Sequence, residues 1–405
     1  MTEHPHPPGP DDSDDTGADA PGSSRPGPEQ PPPSAPEFPA RTRTPRPSRR
    51  TVLAAGVPGA AAVIGLTALT GPRPARLGDP TGDPQLTTAL APHLAGHRHV
   101  AVALLDGKGT TRFGGFGATA ARAFEIGSVT KTFTGALLAE AVARGEATMD
   151  TTVAEVLGAQ ADASAIADVT FAELATHTSG LPRLSPDMML AGWLATLRRK
   201  DPYAGHDGDD VIEAALATTP SGRGEHSYSN FGVALQGQLL ARLADTDYAT
   251  LLARRVLEPL DLGETYAPIT PAGLSADAPH GHTPTGLPAA PWTMGGSAPA
   301  GGIRSTASDL ATYLAAVADG SAPGAAAATE VLLKGEDGER TSMNWFHEDF
   351  AGDGSRITWH NGMTGGFAAF VGFDPVGGRG IAVLTDTARS VDELGVGVLT
   401  GEVDL

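Results

Sequence analysis

Strand-like segments lie at both ends of the chain beyond residue 84, and helix-like segments fill its middle. The apolar run 99–105 and the alternating segment 110–117 flank the turn sequence Asp106-Gly-Lys-Gly, which predicts a hairpin of an antiparallel sheet. Three further predicted strands lie near the other end, at residues 358–361, 367–373 and 381–385. A sheet assembled from both ends of the chain is therefore expected.

Between these strands the apolar residues recur at helical spacing, interrupted by loops rich in Pro and Gly. The predicted helices are residues 129–144, 171–175, 211–217, 231–243 and 308–318, with a closing helix from about residue 391. The fold class expected is α+β: an antiparallel sheet built from both chain ends, flanked by helices, with a mainly helical inserted lobe. A cleft between sheet and lobe would hold the site.

The N-terminal region divides into three segments by composition. Residues 1–47 are rich in Pro, Gly, Ser and Asp with almost no aliphatic periodicity, which predicts a disordered tail. Residues 48–72 place Arg49-Arg50 before a weakly apolar run of about twenty residues, as in a twin-arginine signal or a membrane anchor. Residues 73–83 are a predicted Pro/Gly linker, and residues 84–405 the catalytic domain.

The distribution of arginines around this apolar run predicts its orientation. Arg41, Arg43, Arg46, Arg49 and Arg50 precede the run, against Arg73 and Arg76 after it. This bias places the N-terminus in the cytoplasm and the domain outside, secreted or anchored to the cell membrane. The alternative, a buried core helix, conflicts with the sequence Gly-Val-Pro-Gly inside the run. The membrane is thus an expected partner through residues 51–70 if the segment stays uncleaved.

Charge and composition exclude several classes of function. The net charge of −19 leaves no basic surface for nucleic acid, and the absence of cysteine excludes disulfides and thiolate chemistry. The 12 histidines show no metal-ligand spacing, so no metal and no cofactor is expected.

The first candidate for chemistry is Ser128-Val-Thr-Lys131, at the start of the predicted helix 129–144. Side chains three positions apart share a helix face, and a serine at a helix N-terminus lies among unpaired N–H groups that stabilise an oxyanion. Burial lowers the pKa of a lysine, so that it can accept the serine proton. The spacing alone is weak evidence, since it arises by chance about once in a chain of this size.

Two further motifs follow in the order expected for one site. In Tyr228-Ser-Asn230, the tyrosine can relay protons and Asn230 can hold a substrate amide, although a simple helix cap explains the asparagine equally well. In His360-Asn-Gly362, the glycine allows close approach to a strand edge, and the N–H of Met363 can be an oxyanion donor. Taken alone, this last motif indicates no more than a structural turn.

Together these motifs resemble the active-site signature of the class C β-lactamase and D-alanyl-D-alanine carboxypeptidase family of serine hydrolases. The resemblance covers roughly residues 84–400. Its most specific stretches are Phe124-Glu-Ile-Gly-Ser-Val-Thr-Lys-Thr-Phe-Thr, Ala175-Thr-His-Thr-Ser-Gly-Leu-Pro182, Ala300-Gly-Gly-Ile-Arg-Ser-Thr-Ala-Ser-Asp309 and Trp359-His-Asn-Gly-Met-Thr-Gly-Gly-Phe367.

The resemblance implies a catalytic role for Ser128, Lys131 and Tyr228, and substrate binding by a second group of residues. Ser128 would form an acyl-enzyme with Lys131 as base, and Tyr228 would shuttle protons. The residues implied in substrate binding are Asn230, His360, Gly362 and, as an oxyanion donor beside Ser128, Met363. The segment 177–180 is expected to be structural.

One departure from the family pattern bears on the substrate. Many members carry Lys-Thr-Gly where this chain has His-Asn-Gly, and a histidine is only partly charged near neutral pH. The expected function is an exported serine hydrolase acting on a D-alanyl peptide, a β-lactam or a small ester. The alternatives are a general esterase and a membrane-anchored penicillin sensor that is acylated without turnover.

Overall fold

The structure, a computed structural model, describes residues 75–185, 200–203, 205–334, 340–350 and 355–405. Contacts divide the chain into residues 1–50 and residues 51–405, and the described residues all belong to the second unit. The predicted tail 1–47 and the predicted signal or anchor 48–72 lie outside the described residues. Within the described ranges, no helix has the length and apolar character to cross a membrane.

Eleven short or medium strands occur in the described part of the chain. They are β1 (Pro80–Gly82), β2 (Val100–Asp106), β3 (Thr111–Phe116), β4 (Phe124–Glu125), β5 (Arg304–Ser305), β6 (Leu333–Lys334), β7 (Arg340–Thr341), β8 (Phe346–Phe350), β9 (Ser355–Met363), β10 (Ala368–Phe373) and β11 (Arg379–Thr385). Strands β4 and β5 form a separate antiparallel pair, and the other nine form one antiparallel sheet in the order β1-β3-β2-β11-β10-β9-β8-β7-β6.

The centre of the sheet joins the two ends of the domain. Strand β2 pairs with β11 from Val100 opposite Thr385 to Asp106 opposite Arg379. On one side of this pair lie β3 and β1, and on the other side lie β10, β9 and the short strands β8, β7 and β6. The prediction of an antiparallel sheet built from both chain ends is therefore confirmed.

The described residues form ten α-helices. They are α1 (Pro84–Leu90), α2 (Thr130–Ala143), α3 (Val153–Leu157), α4 (Phe171–Ala175), α5 (Gly208–Leu216), α6 (Asn230–Leu243), α7 (Tyr248–Leu252), α8 (Ala307–Ala318), α9 (Ala325–Ala328) and α10 (Asp392–Thr400). Short 3₁₀ segments include Gly127–Val129 and Gly295–Ala300, and Ala253–Leu257 is a π-helical turn.

The predicted linker needs one correction at its end. Residues 80–82 were expected to belong to it, yet Pro80–Gly82 pairs with Gly114–Phe116 as the edge strand β1. Proline is tolerated in this place because an edge strand leaves one row of N–H groups unpaired. The small residues Gly114 and Gly115 on β3 allow the close approach. The sheet therefore begins inside the segment that composition marked as linker.

Both faces of the sheet are covered, because its central strands are apolar on both sides. Val100 and Val102 of β2 face a cluster that includes Leu86 and Leu90 of α1 and Leu399 of α10. Ala101 and Ala103, which alternate with them, face the larger cluster shared with the helical lobe. The antiparallel sheet and its flanking helices make this an α+β fold, as expected.

Helix α2 lies at the centre of the larger cluster. Phe133, Leu137 and Leu138 are buried, and the ring of Phe133 stacks on Tyr313 of α8 with ring centroids 4.0 Å apart. Because α2 is enclosed on nearly all sides, polar residues of its first turn are buried as well. This enclosure sets the environment of the candidate site.

Candidate active site

Ser128 lies in the 3₁₀ turn Gly127–Val129, between β4 and α2. A buried ion pair anchors the strand that leads into this turn: Arg304 of β5 donates to Glu125 of β4 at 2.6 Å. The backbone N–H of Ile126 also donates to the carbonyl of Ile303 at 3.1 Å. Pairing of β4 with β5 thus fixes the segment that leads into Ser128.

Lys131 lies one helical turn beyond Ser128, and its side chain is completely buried. Its Nζ lies 2.9 Å from Ser128 Oγ and donates to the carbonyl oxygen of Ala300 at 2.6 Å. The spacing Ser-x-x-Lys therefore places amine and hydroxyl in direct contact, as the sequence predicts.

The surroundings of Lys131 favour a neutral amine. Burial lowers the pKa of Lys131 well below its usual value, and the nearby positive charge of Arg183 lowers it further. A neutral amine has a lone pair that can accept the hydroxyl proton of Ser128. The geometry thus supplies a base next to a nucleophile.

Tyr228 lies beside this pair, in the loop that precedes α6. Lys131 Nζ is 5.0 Å from the centroid of its ring. Burial raises the pKa of Tyr228 to about 12, while a hydrogen bond between the Tyr228 and Ser128 side chains acts in the opposite direction. The phenol is therefore protonated near neutral pH, so that it acts as a proton donor.

His177 holds the loop that carries Tyr228. Its carbonyl accepts from the N–H of Ser227 at 2.8 Å, and its ring Nδ1 accepts from the N–H of Ser229 at 3.2 Å. The two hydrogen bonds bracket Tyr228 in the sequence, and the rings of His177 and Tyr228 lie 4.6 Å apart. The ring is buried, with Nε2 lacking a partner among the described residues. This arrangement agrees with the structural role expected for the segment 177–180.

Asn230 is the first residue of α6, but the helix is capped by its neighbour. The side chain of Ser229 accepts from the N–H of Gly232 at 2.8 Å, which is the contact of an N-cap. The side chain of Asn230 takes no part in the cap: it forms a hydrogen bond with the phenol of Tyr203, while its buried Oδ1 has no hydrogen-bond partner among the described residues. An unpaired buried amide oxygen is a place where a ligand can bind.

Strand β9 forms the opposite wall of the site and carries His360 and Gly362 on one face. The ring of His360 is completely buried, its Nδ1 lies 2.6 Å from the carbonyl oxygen of Asn361, and its Nε2 has no partner among the described residues. Burial lowers the pKa of His360 to about 3. His360 is therefore neutral near pH 7, whereas the sequence predicts partial charge. Asn361 points away, donating to Asp392 of α10 at 2.7 Å.

The backbone of β9 approaches the Ser128 turn as closely as two glycines allow. A Cβ at position 362 would collide with the carbonyl oxygen of Ile126 and lie 2.9 Å from the nitrogen of Ser128. A Cβ at Gly127, whose φ is +52°, would lie 2.6 Å from the nitrogen of Met363. The N–H groups of Ser128 and Met363 thus belong to two backbone segments in contact, which is the arrangement of a two-donor oxyanion site.

The structure brings together six of the seven residues predicted for the site, which are Ser128, Lys131, Tyr228, His360, Gly362 and Met363. The seventh, Asn230, lies two residues after Tyr228 at the start of α6. Two neighbours of the site were not predicted: the carbonyl of Ala300, which accepts from Lys131, and Arg183, whose guanidinium lies 5.1 Å from the Tyr228 ring centroid. Neither neighbour belongs to a motif or a periodic pattern that would mark it in the sequence. Over the described ranges, no group of three or more acidic or histidine side chains is placed to hold a metal ion.

Comparison with solved structures finds several proteins with the same architecture. The chain resembles a D-stereospecific amidohydrolase from Streptomyces sp. (TM-score 0.66, 18% identity, covering 78% of this chain and 99% of that one). It also resembles a class C β-lactamase from Rhodobacter sphaeroides (TM-score 0.63, 21% identity, 77% and 95%). A third similar structure is D-alanine carboxypeptidase AmpC from Burkholderia cenocepacia (TM-score 0.63, 23% identity, 78% and 96%). These likenesses show a β-lactamase and penicillin-binding protein-like fold.

The sequence itself matches the model of the Beta-lactamase family over residues 86–397, which is more than half of the chain. The chain belongs to the Beta-lactamase family, as the motifs predict. No curated protein sequence matches it significantly. Membership of this family supports an enzyme.

Proposed function

We propose that the protein is a serine hydrolase that works through an acyl-enzyme, with Ser128 as nucleophile and Lys131 as base. The observation that carries the proposal is the 2.9 Å contact between Ser128 Oγ and the Nζ of a completely buried lysine. Burying an amine costs stability. A catalytic role explains why a neutral amine is nevertheless buried in contact with a hydroxyl at the start of a helix.

The reaction proceeds through groups of the chain itself. Lys131 takes the proton of Ser128 as the oxygen attacks the substrate carbonyl, and the N–H groups of Ser128 and Met363 stabilise the oxyanion. Tyr228, protonated because its pKa is raised to about 12, donates to the leaving group and is then able to help activate water for deacylation. Asn230 holds the substrate amide, and Gly362 and His360 line the opposite wall.

The substrate proposed first is a D-alanyl peptide, followed by a β-lactam and a small ester. The names of two similar structures, a D-stereospecific amidohydrolase and a D-alanine carboxypeptidase, support the peptide. The neutral His360 argues against efficient β-lactam hydrolysis, because it supplies no charge for a carboxylate at the position where many family members have lysine. The same neutrality leaves a small uncharged ester as the second candidate substrate.

Intact-mass spectrometry of the full chain with a penicillin, sampled over time, separates these functions. A stable adduct on Ser128 indicates a penicillin-binding peptidase or a sensor, and a transient adduct with hydrolysed drug indicates a β-lactamase. The absence of an adduct, with Ser128-dependent hydrolysis of simple esters, indicates an esterase.

The assignment of the nucleophile is tested by Ser128→Ala. We expect this variant to lose covalent labelling by every serine-directed acylating probe and at least about 10³-fold of its hydrolytic rate, because no other hydroxyl among the described residues is hydrogen-bonded to Lys131. Its thermal unfolding is the control for folding. Labelling that continues in the variant would show that the nucleophile is a different residue.

We also propose that the domain acts outside the cytoplasm, on the basis of Arg49-Arg50 and the apolar run that follows. Replacing both arginines with lysine keeps the charge but removes the paired guanidinium groups. Cell fractionation should find the unchanged chain outside and the double variant retained inside. Equal distribution of the two chains would contradict export by this route.

A further inference from the structure

Arg183 is fixed at the edge of the site by its own backbone. Its carbonyl oxygen accepts hydrogen bonds from the N–H groups of Asn230 at 3.1 Å and Phe231 at 3.3 Å. These two donors are the first unpaired N–H groups of α6. The residue that follows Leu181-Pro182 is therefore tied to the same helix end that carries the candidate amide-binding residue Asn230.

The side chain of Arg183 is exposed and lies against Tyr228. Its guanidinium carbon is 5.1 Å from the ring centroid of Tyr228, and Lys131 Nζ is 5.0 Å from the same centroid. An aromatic face holds a guanidinium in place while leaving its N–H groups free to bind a ligand. The guanidinium is thus positioned beside the ring of Tyr228 while it stays open to solvent.

Arg183 differs from most of the described arginines, because it forms no ion pair with a described carboxylate. The arginines that do form one are Arg112, Arg122, Arg144, Arg223, Arg242, Arg255, Arg304, Arg340 and Arg356. The chain as a whole has a net charge of −19, whereas Arg183 places a positive charge in the cleft with no described acidic partner. Such a cation attracts anionic ligands.

The other polar groups around Ser128 do not supply this charge. Burial disfavours a positive charge on Lys131 and on His360, since it lowers the pKa of both. Two buried atoms, Oδ1 of Asn230 and Nε2 of His360, have no partner within the described part of the chain and remain available to a substrate. The described site thus combines these unpaired polar atoms with the exposed guanidinium of Arg183.

We propose that Arg183 binds a carboxylate of the substrate, beside Tyr228 and Asn230, and so selects anionic acyl donors or anionic leaving groups. This inference rests on the proposed acyl-transfer function. A guanidinium binds a carboxylate through two parallel hydrogen bonds, which a lysine cannot reproduce. The carboxylate belongs either to the acyl part or to the leaving group, and matched substrates distinguish the two sources.

The test uses two pairs of esters in which a carboxylate is replaced by a carboxamide of the same shape. In the first pair the acyl part differs: the p-nitrophenyl esters of N-succinyl-D-alanine and N-succinamoyl-D-alanine. In the second pair the leaving group differs: the 3-carboxyphenyl and 3-carbamoylphenyl esters of N-acetylglycine. For each pair, the ratio of kcat/KM for the anionic and the neutral ester is measured in the full chain.

We expect the unchanged protein to prefer the anionic ester in one of the pairs. Arg183→Gln should lower that ratio by about 10- to 100-fold, and Arg183→Lys should give an intermediate value. The ratio should also fall with rising salt in the unchanged protein, which tests the charge without any substitution. Arg254→Gln is the matched control, because Arg254 is exposed and lies on a distant turn; it should leave the ratio unchanged.

Different results would overturn the role of Arg183 and the acyl-transfer function on which that role rests. Ser128-dependent hydrolysis with equal ratios in the unchanged protein and in Arg183→Gln would overturn the role of Arg183 alone. No hydrolysis of any of the four esters, together with no labelling of Ser128, would overturn the acyl-transfer function and the role of Arg183 with it.

Discussion

Lys131 shows what the sequence predicts about a residue and what it does not. Its spacing from Ser128 predicts that the two side chains share a helix face, and the 2.9 Å contact confirms this. The complete burial of the amine, by contrast, depends on the carbonyl of Ala300, which lies far along the chain. Local spacing predicts the pairing of residues within one helix, whereas the solvation that sets a pKa comes from tertiary packing.

For His360 and Arg183, too, the local sequence does not predict the surroundings of the side chain. An exposed histidine is partly charged near neutral pH, but burial beside Phe346 lowers the pKa of His360 to about 3. Arg183 lies in a loop whose pattern gives no sign that its guanidinium reaches Tyr228. Which ionisable side chains are charged in the site therefore follows only from the assembled fold.

Replacing Lys131 with methionine tests the buried amine directly. We expect kcat/KM to fall by about 10³-fold or more, because the base is removed. Burial lowers the pKa of Lys131 in the folded state, so the unfolded chain is protonated first as the pH falls below its pKa near 10.5. The folded protein is destabilised as the pH falls from there towards the lowered folded pKa. Within that window, the unfolding free energy should rise by about 1.4 kcal/mol per pH unit more steeply in the unchanged protein than in the variant.

Denaturant unfolding of both proteins between pH 7 and pH 10.5 measures this difference, and all other titrating groups cancel in the comparison. Parallel stability curves would mean that Lys131 has an ordinary pKa. In that case the amine would be charged in the folded state and unable to act as the base.

At the scale of elements, the helices and most of the longer strands are predicted well, the longest strand, β9, is predicted only over residues 358–361, and the shortest strands are not predicted. The strong periodicity of 231–243 and of 129–144 places α6 and α2 within one residue of their observed ends. Strands β1, β6 and β7 have two or three residues, too few for an alternation to be visible. The order of strands is set by pairing across the sheet and has no local signature.

The contact between β9 and the Ser128 turn provides a test at this scale. Gly362→Ala adds a methyl group that meets Ile126 and lies 2.9 Å from the nitrogen of Ser128, so β9 must move away. We expect kcat/KM to fall about 100-fold through misplacement of the oxyanion donors, and the unfolding free energy to fall by about 1–3 kcal/mol.

Gly380→Ala in β11 is the control for this substitution. A Cβ there meets Gly372 at 3.4 Å and Phe373 at 3.5 Å, which is ordinary contact. Its activity should stay within about twofold of the unchanged protein. If Gly362→Ala were equally active, the N–H of Met363 would have no part in the reaction.

At the scale of the whole molecule, the helix at the end of the chain covers the sheet formed from both ends. Leu394, Val398 and Leu399 of α10 are buried against the face that α1 also covers. Removing residues 392–405 exposes this face at a cost of about 5–8 kcal/mol, estimated from three apolar side chains. That is comparable with the entire stability of an average domain.

We therefore expect the chain that ends at Val391 to be insoluble, or to bind a hydrophobic dye without a cooperative thermal transition. Removing only Asp404 and Leu405 is the control, and this chain should melt within a few degrees of the unchanged protein. A cooperative, active protein without α10 would show that the covering helix is dispensable.

The pairing of β2 with β11 also has a consequence for how the enzyme is made. Val100 and Thr385 are neighbours in the sheet but about 280 residues apart in the chain. At 5–20 residues per second, the ribosome needs roughly 15–60 s to travel from one to the other. Throughout that time β2 has an open edge, and the strand that carries His360 and Met363 does not yet exist. The wall of the site opposite Ser128 therefore cannot form until β9 has been synthesised.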